Sequence, residues 1–588
     1  MIQLLKYLKT KDWGIVFMVL LFIIAQVFLD LKLPDYMSEI TVMVQTPGSE
    51  TSEIIQTGGY MMLCALGSLV AAIIVSFLST RLAASFAKNL RERQFDKVES
   101  FSMQEINGFS TSSLITRSTN DITQVQMFIA MGMQILFKAP IMAVWALTKI
   151  SNKNWQWTAA TGITVVALMA IIITVISLAL PRFKRIQSLT DNLTSVTREN
   201  LTGIRVVRAY NAEDHEESKF ETANTALNQN YLFTTRLMAF MSPSMVAAMN
   251  GLSLAIYWIG AYLINESMDM MERITIFSDM VVFSSYAIQV VMSFVMLTFV
   301  FVILPRAQVS ANRIKEVLNT DSTINDGTVT EGKDNLEGEI EFRNVSFKYP
   351  DAADYVIKDI SFKARKGETI AFIGSTGSGK STIVNLVPRF YDPTEGEILI
   401  DGVNVKDYTQ EALRNKIGYV PQKAVLFSGT IASNIAFGEN GKEEISRDAV
   451  KRAISVAKGT DFVEKTENQY EGHVAQGGNN FSGGQKQRMA IARAIARDPE
   501  IFVFDDSFSA LDYKTDRELR SQLKEEASGV TNLIVGQRIG TIKDADTIIV
   551  LDEGRIVGKG THTELLETSE VYREIAYSQL SEEELANE

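Results

Sequence analysis

Six apolar stretches in the first 304 residues constrain this 588-residue chain more than any other feature. They fall at roughly 13–33, 57–80, 128–150, 156–180, 243–265 and 275–304, each near the ~20 residues that an α-helix needs to cross a bilayer. Runs such as 165–180 and 281–304 carry almost no charge, which argues against a large soluble helical core. The connecting segments alternate in character. Residues 81–127 and 182–236 are long and rich in Lys and Arg, whereas 34–56 is acidic and has neither. Positive segments stay in the cytoplasm, so both termini and the two long segments are expected inside. Trp13, Trp155 and Trp157 fall near the expected interfaces, as an aromatic belt would.

At the start, Lys6, Lys9 and Lys11 beside Leu4, Leu5 and Leu8 suggest an interfacial amphipathic helix over 1–12. No small-residue cleavage site follows the first apolar run, so a signal peptide is not expected. The lone cysteine, Cys64, can form no internal disulfide. A net charge of −12 argues against general nucleic-acid binding. Inside the spans Gln134, Lys138, Asn250, Asp279 and Gln289 stand out, because ionisable and polar groups there tend to face a cavity or a partner. Met280, Met292 and Met296 beside Phe283, Phe294, Phe299 and Phe301 form a soft apolar surface, suited to varied guests and equally to helix packing.

The second half reads differently. Residues 319–338 are polar, acidic and without periodicity, the composition of a linker. Beyond it, Gly374-Ser-Thr-Gly-Ser-Gly-Lys-Ser381 fits G-x-x-x-x-G-K-S, with an apolar strand before and a helical pattern after. Such glycines let backbone N–H groups approach phosphates, and the helix N-terminus adds a positive field. Around the phosphates the expected residues are Gly374, Ser375, Thr376, Gly377, Ser378, Gly379, Lys380, Ser381 and Thr382. Lys380 is expected to reach the β- and γ-phosphates, and the Ser381 hydroxyl to ligate magnesium with help from Asp505. Asp505 and Asp506 end a short apolar run, 501–504, that suits a buried parallel strand. Carboxylates at that end of a strand sit where open α/β sheets bind ligands. The resulting expectation is a nucleotide site with Mg2+.

Residues 340–570 resemble the nucleotide-binding domain of an ABC transporter, and Phe481-Ser-Gly-Gly-Gln485 is similar to that family's signature sequence. The resemblance implies a six-helix transmembrane domain, all-α and of exporter type, over 1–318. An α/β P-loop ATP-binding domain with an α-helical subdomain would follow over 339–575, and an acidic tail over 576–588. It implies that two such domains dimerise head to tail, each ATP lying between one phosphate loop and the other subunit's signature. By the same resemblance Tyr349 stacks on adenine, Gln422 touches magnesium, and Ser482, Gly483, Gly484 and Gln485 serve the opposite nucleotide. Asp512 belongs to the loop that crosses over. Segments 108–125 and 200–218 resemble the two coupling segments of ABC exporters.

Three departures from the family pattern bear on mechanism. Asp506 stands where working members carry the glutamate that polarises water, Gln537 where they carry a histidine, and Gln476 where a glutamate precedes the signature. One methylene less withdraws a carboxylate by about 1.5 Å, and a misplacement of about 1 Å can cost ~100-fold in rate. An amide can hydrogen-bond a phosphate but lacks the tunable charge of an imidazole. With Asp506, Gln537 and Gln422 as the catalytic set, the chain resembles the degenerate-site half of bacterial heterodimeric multidrug exporters. That implies a plasma-membrane location, a second, different half-transporter as partner, and hydrophobic or amphiphilic substrates in a lipid setting. The alternatives are a homodimeric ATP-gated regulator or channel, and a lipid or peptide exporter of the same architecture.

Overall fold

The computed structural model describes residues 2–46, 48–151, 154–350, 352–442, 444–526 and 528–579. The end of the expected acidic tail, 580–588, lies outside them. Two compact units emerge: residues 1–99 with 111–320, and 100–110 with 321–588.

In the first unit all six expected spans lie within long helices: Thr10–Gln45, Thr51–Glu99, Thr111–Ser151, Trp155–Thr202, Glu213–Glu266 and Met270–Asn319. At 1.5 Å per residue the longest of these run about 70–80 Å, far past a hydrocarbon core of about 30 Å. Five contain an interior proline (Pro34, Pro140, Pro181, Pro243, Pro305) and stay helical, as membrane helices do when neighbours satisfy the freed carbonyls. The third helix widens into π turns at Arg117–Asp121 and Phe128–Gly132.

The spans pack around Val19, Ile23, Val27, Val75, Phe283 and Tyr286. Trp157 departs from expectation: it is 2% exposed, its indole N–H donates to Ile256 O at 3.2 Å, and its ring lies 5.4 Å from Phe283. A buried carbonyl able to take the indole proton makes the core the better place for it. Trp13 and Trp155 are exposed. The start of the chain is a 3-10 helix, Ile2–Tyr7, rather than an amphipathic α-helix. It is held by Leu4 inside a cluster with Phe86, Leu90 and Ile122, and by Asn89 donating to Tyr7 O at 2.6 Å.

Lys138 pairs with Asp30 at 3.4 Å, and Asp30 also accepts from the Ser68 hydroxyl. Nearby, Asp35 accepts from Lys149 at 2.8 Å and from the Tyr286 hydroxyl. Gln134 donates back to Ala130 O at 2.9 Å. Asp30, Asp35 and Lys149 escaped the sequence reading because each sits at the edge of an apolar run. Stranding one member of a desolvated pair costs about 3 kcal/mol, whereas removing both is far cheaper. Asp30→Ala is therefore expected to lower the thermal stability of the chain in lipid nanodiscs by about 3 kcal/mol. Asp30→Asn combined with Lys138→Met should recover most of that loss.

Among the described residues of the second unit, twelve strands follow. They are β1 Ile340–Phe347, β2 Ile357–Ala364, β3 Thr369–Gly374, β4 Glu395–Ile400, β5 Val403–Asn404 and β6 Ile417–Val420. The rest are β7 Gly429–Thr430, β8 His473–Val474, β9 Ile501–Asp505, β10 Thr531–Val535, β11 Thr547–Asp552 and β12 Arg555–Gly560. An antiparallel sheet has order β2-β1-β4-β5, and a mainly parallel sheet has order β12-β11-β3-β10-β9-β6. Between β6 and β9 lies a mostly helical region, its helices Ile431–Ile435, Arg447–Val456 and Gly483–Ala496 sharing one apolar core.

Two expectations shift in this unit. The stretch expected as a linker is folded: Gly327 N, Thr328 N and Val329 N donate to carbonyls of Tyr408 and Asp407, and Lys333 N donates to Asp401 O. Its polar side chains hid a backbone that hydrogen-bonds to the loops around β4 and β5. Next, the short helix belonging to this unit is Met103–Phe109, upstream of most of the 108–125 segment. Ser102 and Glu105 form its capping box, Glu105 also accepts from Thr323 N at 3.2 Å, and Asn107 donates to the Tyr391 hydroxyl at 2.9 Å. Burial pushes the Glu105 carboxyl up, but its bonds from Ser102 and Thr323 outweigh that and hold it below its ordinary value. Residues 111–125 belong instead to the third long helix and its first π turn.

Candidate active site

The parallel sheet gathers the expected groups at one edge. Four loops leave the carboxyl ends of neighbouring strands: the glycine loop after β3, Gln537 after β10, Asp505 and Asp506 at the end of β9, and Gln422 after β6. That edge is where parallel α/β sheets place ligands.

The loop turns into the helix Lys380–Leu386 through Gly379 at φ +95°, where an added Cβ would lie 2.5 Å from the Ile357 side chain. Only glycine fits there, so backbone N–H groups line the turn without side-chain cover. Lys380 folds over the loop, donating to Gly374 O at 2.9 Å and Ser375 O at 2.7 Å. Burial pushes its ammonium pKa down, against the pull of Asp506 and Asp505. Ser381 donates to Asp505 at 2.7 Å. Tyr349 lies 3.3 Å from the Thr382 hydroxyl and meets the Phe347 and Tyr391 rings edge-on.

Asp506 sits at φ +48° with its N–H on Val535 O at 3.1 Å. Its Oδ2 accepts two side-chain amides, Gln537 Nε2 at 2.7 Å and Gln422 Nε2 at 3.4 Å. Burial raises the pKa of both acids; for Asp505 the charge of Asp506 adds to the rise. The short Gln537 bond holds the Asp506 carboxylate toward the β10 side of the site.

The signature residues stand apart from this network. Ser482 caps the helix Gly483–Ala496, its side chain accepting from Gln485 N at 3.3 Å while Ser482 N donates to Gln485 Oε1 at 2.9 Å. Ser482 and Gly483 are exposed, and a Cβ on Gly483 would meet nothing within 4 Å. The result is an open, positively polarised helix end. Asp512 is exposed and its carboxylate caps the next helix through Thr515 N at 3.0 Å, which lowers its pKa. Gln476 is exposed in a 3-10 turn, Gln476–Gly478.

Several supporting groups gave no local signal in the sequence. Ser507 donates to Val420 O at 2.9 Å, tying β9 to β6 beside the acids. Arg538 donates to Ser509 O at 3.2 Å and Leu511 O at 3.3 Å, bracing the loop that carries Asp512.

The oxygen donors suit a hard cation. Ser381 and Asp505 face each other, and among the described residues no group of three His, Cys, Asp or Glu could form a dedicated cage. Magnesium is commonly held by one or two protein oxygens, with phosphates and water completing its shell. When bound, it supplies positive charge that offsets charge developing on the phosphates.

Comparison with known proteins shows the family. Residues 357–509 match the ABC transporter family model, and residues 15–304 match the ABC transporter transmembrane region. An uncharacterized ABC transporter ATP-binding protein of Mycobacterium tuberculosis is 39% identical over 538 residues, 90% of each chain. An ATP-dependent lipid A-core flippase of Pseudomonas aeruginosa is 32% identical over 84% of this chain and 79% of that protein. A bacterial Atm1-family ABC exporter solved with ATP bound superposes with a TM-score of 0.78 at 25% identity, covering 98% of this chain and 99% of the other. The chain therefore belongs to the ABC transporter family: it is a multi-pass bacterial membrane protein of exporter type, an ATPase and translocase whose six-helix region and cytoplasmic ATP-binding domain form one polypeptide.

Proposed function

We propose that this chain is one half of a heterodimeric exporter, with a slow ATP site of its own and a signature that completes the partner's working site. The observation that carries the reading is the state of Asp506: a carboxylate one methylene short, tied at 2.7 Å to the Gln537 amide. A general base must lie within hydrogen-bond reach of the proton it takes, and a shortened carboxylate held toward Gln537 reaches less far. In contrast, the exposed Ser482 cap and the open Gly483 after it leave a helix end that a phosphate can approach.

On this reading Lys380 and the loop amides bind the triphosphate, and Ser381, Asp505 and the Gln422 amide oxygen hold magnesium. Tyr349 stacks on the base, and ATP clamps the two ATP-binding domains because each nucleotide bridges both subunits. Closure shifts the spans from an inward- to an outward-facing cavity, the nucleotide supplying the differential affinity that a two-state change requires. Hydrolysis at the partner's site resets the cycle.

For cargo, we infer hydrophobic or amphiphilic compounds, in the manner of multidrug efflux. A second reading, lipid export, is favoured by the named flippase relatives. Transport of labelled drugs and labelled lipids by the same vesicles separates the two.

The chain reconstituted alone should hydrolyse ATP slowly, and much faster after addition of a second half-transporter that carries the glutamate and histidine this chain lacks. Brisk turnover by two copies of this chain would overturn the heterodimer reading.

A further inference from the structure

The segment that presents Gln537 is held from its far side by one residue near the end of the described chain. Gln579 Nε2 donates to Gln537 O at 2.8 Å, and its Oε1 accepts from Ile539 N at 2.9 Å. A single side-chain amide thus pairs with the backbone on both sides of Arg538, as a neighbouring strand would. Ile539 N opens the short helix Ile539–Ile542, so Gln579 also satisfies a donor that this helix leaves free. The helix before Gln579, Glu570–Tyr577, is anchored independently: Tyr572 and Ala576 are fully buried in one cluster with Ile539 and Ile542. Gln579 itself is exposed. An exposed glutamine with both ends of its amide bound to one loop is well placed to fix that loop, and it supports little else.

We propose that Gln579 is a positioning residue of the nucleotide site: it fixes the backbone at 537–539 so that the Gln537 amide stays aimed at Asp506 and at the terminal phosphate. The proposal rests on the reading of Gln537 given above. It also makes the C-terminal helix a handle on the site, since whatever displaces that helix releases the Gln537 segment.

The test is the release of N-methylanthraniloyl-ATP from the full-length chain in nanodiscs. Gln579→Ala is expected to speed release about tenfold, the equivalent of roughly one to two hydrogen bonds. As an exposed substitution it should leave the melting temperature nearly unchanged. If Gln579 acts through Gln537, its effect should vanish in a Gln537→Ala background, which a general structural role would not predict. Wild-type release from Gln579→Ala, or an undiminished effect in the Gln537→Ala background, would overturn the proposal. If Gln537→Ala alone leaves release unchanged, the underlying reading of Gln537 fails instead.

Discussion

In the assembled pair, Ser482→Arg is expected to reduce ATP hydrolysis by about 100-fold or more, while Asp506→Ala should leave at least about half. The first figure follows from the helix end that Ser482 caps. Its oxygen satisfies Gln485 N, and the exposed Gly483 beside it has open space where a side chain would be. Preorganised donors aimed at developing charge are among the largest single contributions to catalysis, and losing one commonly costs 100- to 1,000-fold. A long side chain at Ser482 fills the space through which a phosphate must approach and also removes the cap. Ser482→Ala, which removes only the cap at about 1 kcal/mol, should therefore be far milder. Asp506 serves the other nucleotide, where turnover is already slow, so its loss should scarcely register in the total. Phosphate release from proteoliposomes containing both halves measures each effect. Equal losses from Ser482→Arg and Asp506→Ala would sink the asymmetry.

What the sequence revealed of this site depended on how local the signal was. The glycine loop, Lys380, Ser381 and the Asp505–Asp506 pair were legible because each lies in a run whose residue types and spacing serve one phosphate-binding turn or one buried strand end. The six spans were legible because apolar length alone selects them. The clamp on Asp506 was half visible: both glutamines were singled out, yet nothing along the chain says that the Gln537 and Gln422 amides converge on one oxygen. Contacts between distant segments were not legible at all. Gln579 reaches back 42 residues to Gln537, and Lys138 reaches 108 residues back to Asp30. Trp157 passed for an interfacial residue because its partner, the Ile256 carbonyl, carries no sequence signature. The folded stretch after Asn319 misled for a related reason: its backbone, not its side chains, makes the bonds.

The converse experiment asks whether this chain's own site can be repaired, and Ser482→Arg supplies the background in which to see it. With the partner's site silenced, residual hydrolysis reports the nucleotide on this chain's phosphate loop. Asp506→Glu alone should gain less than about tenfold there, because the Gln537 amide would still engage the longer carboxylate and because φ +48° disfavours a larger side chain. Gln537→His alone should gain as little, since it frees a carboxylate that remains too short. Together they are expected to raise residual turnover by roughly 100-fold or more, the lower end of what a placed general base contributes. The gain should exceed the product of the two single effects, as neighbouring groups that touch one oxygen couple rather than add. A double variant no faster than its parent would mean that the Asp506–Gln537 contact is not what keeps this site slow, and that the cause lies in the signature the partner lends to it.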